Sequence, residues 1–248
     1  MFATLTHKGK TIKADLHHGF DISIAVSATG ARAWYVEPPV IEPVRMGDWV
    51  GNVKQGGSVN FNNIFFNPHG HGTHTESVGH ITPEGETVNG IVNRAFYIAE
   101  LVTVLPEQTD SGDFVITRRQ LAGMLEGKTP EAVIIRTVAN SPMKKQMNWS
   151  NSNPPYLAAD AAQLLAEMNV EHLLLDLPSV DREVDGGALA AHKAFWNYPE
   201  NTRRNCTITE FIYVPNTIFD GPYLLNLQTA PIENDATPSR PVLYRILS

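Results

Sequence analysis

The sequence predicts an α/β fold, a single mixed-sheet domain over residues 1–248, on three observations. Short apolar, β-branched runs of strand length recur along the chain, most of them bounded by Gly, Pro, Asn or Asp. Helical spacing of apolar residues is clear in two places, one of them between two such runs. No repeat, linker or low-complexity segment divides the 248 residues, a length that can bury a substantial core in one domain.

The strand-like runs are Phe20 to Ser27, Val59 to Phe66, Phe96 to Leu105, Ala132 to Thr137, Leu173 to Leu177, Thr207 to Val214, Tyr223 to Leu227 and Val242 to Leu247. The first helix is expected over Thr117 to Leu125, with Leu121, Met124 and Leu125 on one face behind a Thr cap. The second, Leu157 to Met168, places Leu157, Ala161, Leu164, Leu165 and Met168 at helical spacing. Lying between two apolar strands, it reads as the crossover of a β-α-β unit. A third helix is expected over Gly187 to Trp196, although it begins with glycines.

Composition removes several classes of function. A formal charge of −7 argues against nucleic acid, whose phosphates call for a basic surface. The basic pairs Arg118-Arg119, Lys144-Lys145 and Arg203-Arg204 read as solvated surface. Cys206 is the only cysteine, which excludes an intrachain disulfide and a thiolate cage, and it reads as the entry to a buried strand rather than a nucleophile. The segment Gly123 to Thr129 imitates a phosphate-binding loop, but it is one residue short and follows a helix, so a helix ending at a left-handed Gly127 explains it better. No secretory signal or membrane span is read in the chain, and the expectation is a cytoplasmic protein without a membrane partner.

Four of the nine histidines fall in His69-Gly-His71-Gly-Thr-His74-Thr-Glu76-Ser-Val-Gly-His80, a density far above an even spread. Imidazoles bind metals and move protons near neutral pH. In an extended segment alternate residues share a face, so His74, Glu76 and His80 can point into one cavity while Thr73 and Thr75 point into the packing. Imidazole nitrogen with carboxylate oxygen is a usual donor set for zinc and also suits manganese. Further ligands should come from elsewhere in the chain. Leu174 to Asp181 is an apolar strand ending in polar residues, His192 follows in a helix, and Glu210 interrupts an apolar strand. A carboxylate there is costly unless it is paired or binds metal, or unless it faces solvent on an edge strand; composition leaves both readings of Glu210 open.

This segment resembles the signature His-x-Gly-Thr-His-x-Asp-x-Pro-x-His of the metal-dependent cyclase and hydrolase family that includes bacterial kynurenine formamidase and isatin hydrolase. Gly72-Thr73-His74, Glu76 and His80 carry the likeness, with Glu for Asp and Val78 for Pro. It continues through Asp176-Leu-Pro-Ser-Val-Asp181, His192 and Ile208-Thr-Glu210. The resemblance implies a compact domain with a β-barrel-like core and flanking helices, of the swivelling β/β/α type, assembled as homodimers or homotetramers. It implies one or two zinc or manganese ions held by His74, Glu76, His192 and Glu210, with Glu76 able to bridge. His80 matches the catalytic histidine, and Glu76 joins it at the reacting centre. The family's first histidine falls at Gly70, so His69 or His71 must reach in through a local bulge, with His69 favoured by the turn signal of Pro68.

The function expected is hydrolysis of a small amide, lactam or ester. A bound ion would acidify a water that attacks the carbonyl, and His80 would carry a proton to the leaving group. The alternative is a non-catalytic small-molecule-binding relative with a degenerate metal site. A serine hydrolase is disfavoured because no Gly-x-Ser-x-Gly elbow is present. Phe65, Phe66, Tyr156 and Trp196 are candidates for the pocket wall, although each is more readily a core residue.

Overall fold

The computed structural model describes residues 1–247. Its centre is a nine-stranded mixed sheet. The order is Ala236–Pro238, His74–Glu76, Thr207–Glu210, His172–Leu175, Ala132–Thr137, Phe96–Val104, Gly221–Asn226, Val242–Arg245 and Phe20–Asp21. The four strands from Thr207–Glu210 to Phe96–Val104 run parallel, and antiparallel strands flank them on both sides. Parallel strands are covered on both faces and therefore read as continuous apolar runs. Every residue of Ala132–Thr137 is buried, as that rule requires.

One face of the sheet packs on three helices, α1 (Arg118–Met124), α2 (Ala159–Glu167) and α3 (Ala190–Trp196). Val133, Ile135, Leu173, Leu175 and Ile208 meet Leu121, Leu165, Phe195 and Trp196 there. On the other face Ile134 and Leu174 from the middle of the sheet join Ile22, Leu225 and Leu243 from its far edge in one core. A sheet whose edge packs on its own centre is curled, and the result is a half-barrel with helices outside, as expected. The β-α-β unit is also present: α2 joins Ala132–Thr137 to its parallel neighbour His172–Leu175.

Details differ from the sequence reading. The third helix starts at Ala190 rather than Gly187, because Gly186, Gly187 and Leu189 all have left-handed φ. α1 opens on a capping box between Thr117 and Gln120, but it ends at Met124, and the left-handed Gly127 follows in the next turn. Phe20 to Ser27 pairs as a strand only at Phe20–Asp21. An N-terminal hairpin, Phe2–His7 with Lys10–Asp15, was not anticipated; Lys8 and Gly9 both take positive φ at its two-residue turn. Val40–Pro43 pairs with Asn62–Phe65 as an arm whose Ile64 and Phe65 are exposed. Among the described residues no helix is long and apolar enough to cross a membrane.

Candidate metal centre

The centre is assembled on the short strand His74–Glu76, which is buried at every position. It pairs antiparallel with Thr207–Glu210, setting His74 opposite Glu210 and Glu76 opposite Ile208. Residues opposite each other in a ladder share a face. His74, Glu76 and Glu210 therefore point to the same side, while Thr75 and Thr209 bond hydroxyl to hydroxyl at 2.7 Å on the other. Thr73 also turns into the packing, donating to the Phe211 carbonyl and accepting from the Ile24 N–H.

His69 reaches this face through a turn rather than a bulge. The Asn67 carbonyl and side-chain oxygen both accept from the Gly70 N–H, closing Asn67-Pro68-His69-Gly70. The turn aims His69 Nδ1 at Glu76 Oε2, 3.1 Å away. Position 70 itself has no room for a side chain, since a Cβ there would lie 2.7 Å from Val36 Cγ2. His71 does not join the centre. Its Nδ1 accepts from the Asn67 N–H and its Nε2 donates to the Glu37 carbonyl, so both ring nitrogens are engaged in packing.

His74 and Glu76 share a face of the strand, and the chain leaves that strand before His80. Ser77 donates its N–H to the Asp235 carbonyl, and its hydroxyl accepts from the Gly79 N–H, opening a 3-10 turn over Val78–His80. Val78 drops into the core beside the helices. Gly79 packs so closely on the Glu86 backbone that a Cβ would meet its carbonyl oxygen at 2.1 Å. His80 arrives at the centre by that turn and is the most exposed of its imidazoles.

His192 comes from α3. Asp181 orients it, accepting from its Nδ1–H at 2.6 Å and also from the Ala191 and His192 backbone N–H groups. Its Nε2 lies 3.0 Å from Glu76 Oε1. Glu210 accepts from the Val180 N–H through Oε1 and presents Oε2 3.4 Å from His74 Nε2. It is buried, which settles its orientation inward rather than to solvent.

Each of three histidines thus has one nitrogen tied behind it and the other turned inward. His69 is tied to Asp235 at 2.8 Å, His192 to Asp181, and His74 to the Gly72 carbonyl at 3.3 Å. This is the arrangement by which carboxylate and carbonyl partners orient metal-ligating imidazoles. His74 Nε2 and Glu76 Oε2 are buried without a hydrogen-bond partner. Orphaned polar atoms of that kind are costly, and a cation between them would relieve both. Ligand atoms of His69, His74 and Glu76 lie within 4.8 Å of one another, as do those of Glu76, His80 and His192.

Protonation follows the same partners. Burial opposes charge on His69, but Asp235 and Glu76 outweigh it and bring its pKa up to about 10. Burial also opposes charge on His192, and Asp181 and Glu76 raise it to about 10. Burial would raise Glu76, yet the imidazoles of His80, His192 and His69 hold it well below the usual carboxylate range.

A cleft of about 280 Å³ opens on the centre. His69, Glu76, His80, His192 and Glu210 line its floor, with Trp34 and Leu189 as apolar wall. The anticipated aromatics are not there: Trp196 is in the core, Tyr156 turns its hydroxyl to Asp113, and Phe65 is on the exposed arm. Trp34 and Asp235 were missed by sequence reading. Trp34 follows an alanine-rich stretch without period, and Asp235 lies in a polar segment indistinguishable from a surface loop.

Fold and site together define a curled mixed-sheet α/β protein with an interior histidine and carboxylate centre. The family described as Putative cyclase matches residues 20–182, more than half of the chain, and this chain belongs to that family. Solved structures share the fold. A potential metal-dependent hydrolase with cyclase activity is 17% identical with a TM-score of 0.64, over 92% of this chain and 97% of that one. A predicted metal-dependent hydrolase from Bacillus stearothermophilus is 18% identical with a TM-score of 0.63, over 92% and 98%. An isatin hydrolase bound to the product analogue thioisatinate is 14% identical with a TM-score of 0.66, over 92% of each chain. Among curated proteins no match was found.

Proposed function

We propose that the protein is a metal-dependent hydrolase of a small amide, lactam or ester. The observation that carries this reading is the pair of buried atoms without a hydrogen bond, His74 Nε2 and Glu76 Oε2, the second on a residue that lines an open cleft and the first buried behind it. His69, His74 and Glu76 would hold one ion, and His192 and Glu210 complete the donors for it or for a second. The mixture of imidazole nitrogen and carboxylate oxygen suits zinc or manganese. Such an ion supplies an acidified water and a Lewis acid for a carbonyl.

The chain's own residues supply the rest. Asp181 fixes the His192 ring, and the Asn67 to Gly70 turn fixes His69, so the donors are held before any ligand arrives. His80 lines the cleft and can give a proton to the leaving nitrogen or oxygen. Trp34 and Leu189 offer an apolar wall to a small, flat substrate. The names of the similar structures support hydrolysis, and one of them, isatin hydrolase, supports a lactam.

The competing reading is a binding protein with a degenerate site, suggested by Gly70 at the position of the family's first histidine. His69 beside Glu76 supports the hydrolase instead. The test is hydrolysis of a formanilide, isatin and a phenyl ester by metal-free protein and by protein loaded with zinc or manganese. Metal-dependent turnover of at least one is expected; binding without turnover of any would favour the competing reading. In His80→Ala, kcat should fall by about 100-fold or more with metal content unchanged.

A further inference from the structure

The geometry points to Asp235 as a positioning residue that ties the proton donor His80 to the ligand His69 through one carboxylate oxygen. This rests on the roles assigned to His69 and His80 above. Asp235 Oδ2 lies 2.8 Å from His69 Nε2 and 3.4 Å from His80 Nδ1. The two rings sit over one another, with centroids 4.2 Å apart and planes inclined by 32°. The opposite nitrogen of His69 faces Glu76. Asp235 therefore stands behind both imidazoles, and the cleft is lined by His69 and His80 but not by Asp235.

The backbone holds this carboxylate in place from both sides. The Asp235 carbonyl accepts from the Ser77 N–H at 2.9 Å, at the start of the turn that carries His80. The next residue, Ala236, pairs with Glu76 in the sheet, and the preceding Asn234 carbonyl accepts from the Val88 N–H at 3.0 Å. The strand end, the His80 turn and the Asp235 segment are thus one rigid corner.

A carboxylate can only accept. Beside His80 Nδ1 it favours the tautomer with a proton on Nδ1, leaving Nε2 as the atom that exchanges protons. Beside His69 Nε2 it does the reverse, so that Nδ1, which faces Glu76, is the nitrogen left for an ion. One side chain thereby sets both tautomers, and ion affinity and proton transfer depend on it together. His192 has its own separate carboxylate, Asp181, behind it, so Asp235 stands behind His69 and His80 only.

The experiment compares wild type with Asp235→Asn, which keeps the shape and removes the charge. Three quantities are read: zinc affinity and stoichiometry by titration of metal-free protein, the His80 tautomer by nitrogen-15 NMR of the zinc form, and kcat against KM at saturating zinc. In the variant, zinc affinity should fall by roughly 10- to 100-fold at unchanged stoichiometry. His80 should lose its preference for the Nδ1 proton, and kcat should fall with KM nearly unchanged. Unchanged affinity together with an unchanged tautomer would overturn the assignment, and so would loss of one zinc equivalent, which would make Asp235 a ligand. The first two readouts need no turnover, so they judge Asp235 even if the wild type hydrolyses nothing in the panel. Asp235→Ser carries the same expectations should Asp235→Asn fold poorly.

Discussion

Two groups of buried charge lie at the ends of adjacent parallel strands. One follows His172–Leu175: Lys144 and Asp176, both buried, meet at 2.8 Å. Lys144 Nζ also donates to the Thr137 carbonyl and hydroxyl, while Asp176 accepts from the Thr137 N–H and hydroxyl. Each donor and acceptor in this group has a partner, and its atoms are absent from the orphaned set among the described residues. The other group, around Glu76 and Glu210 on the neighbouring strands, leaves an imidazole nitrogen and a carboxylate oxygen without a hydrogen bond, in ion-pair contact only, beside a cleft. Buried charge is common to both; the missing hydrogen bonds, beside a cleft, are what distinguish the second group and make it one that could hold a cation.

The sharpest way to break this contrast is Lys144→Met. Leaving Asp176 buried and unpaired should cost about 3–5 kcal/mol in urea unfolding and leave zinc affinity unaltered. A change in affinity would mean that the two groups act as one.

Glu76→Gln probes the other side. It removes the charge that three imidazoles face, and zinc affinity should fall by at least about 100-fold, beyond the usual effect of an outer partner. Retained affinity would show that the orphaned oxygen is not a ligand.

The pH dependence has a definite sign. His69 and His192 have folded pKa values raised to about 10, so their contribution to metal-free stability is complete below about pH 6.5 and is lost as pH rises toward 10. Glu76 and Asp181 are depressed, so theirs is present above about pH 4 to 4.5 and is lost in acid. Metal-free protein should therefore melt highest in mildly acidic buffer. Bound metal requires those imidazoles to be deprotonated, so the rise in Tm on adding zinc should be larger at pH 8.5 than at pH 6. A shift that shrinks with pH would contradict this account.

The smallest effect belongs to His71→Asn. Losing its packing bonds to Glu37 and Asn67 should cost about 1 kcal/mol of stability, and zinc affinity should stay within about threefold of wild type. Comparable losses of affinity in His71→Asn and His69→Asn would erase the distinction drawn between them.

The sequence made some of this visible for physical reasons. A strand's period of two put His74 and Glu76 on one face, and a costly carboxylate in an apolar strand pointed to Glu210. Other features depended on contacts distant in the chain. His80 left the strand because Ser77 bonds to Asp235, a partner more than 150 residues away. Lys144 read as surface, since a Lys-Lys pair carries no sign that one member is buried against Asp176. Val59 to Phe66 correctly suggested a strand, but period alone could not show that Ile64 and Phe65 would remain exposed. Asp235 gave no signal at all, although it is hydrogen-bonded to His69 and lies beside His80.

The most direct test is calorimetric titration of metal-free, untagged wild-type protein with zinc and with manganese, repeated on Glu76→Gln. The account predicts one or two tight sites per chain in the wild type and a large loss of affinity in the variant. No tight site in the wild type, or equal affinity in both proteins, would contradict the claim that the orphaned atoms of His74 and Glu76 belong to a metal centre.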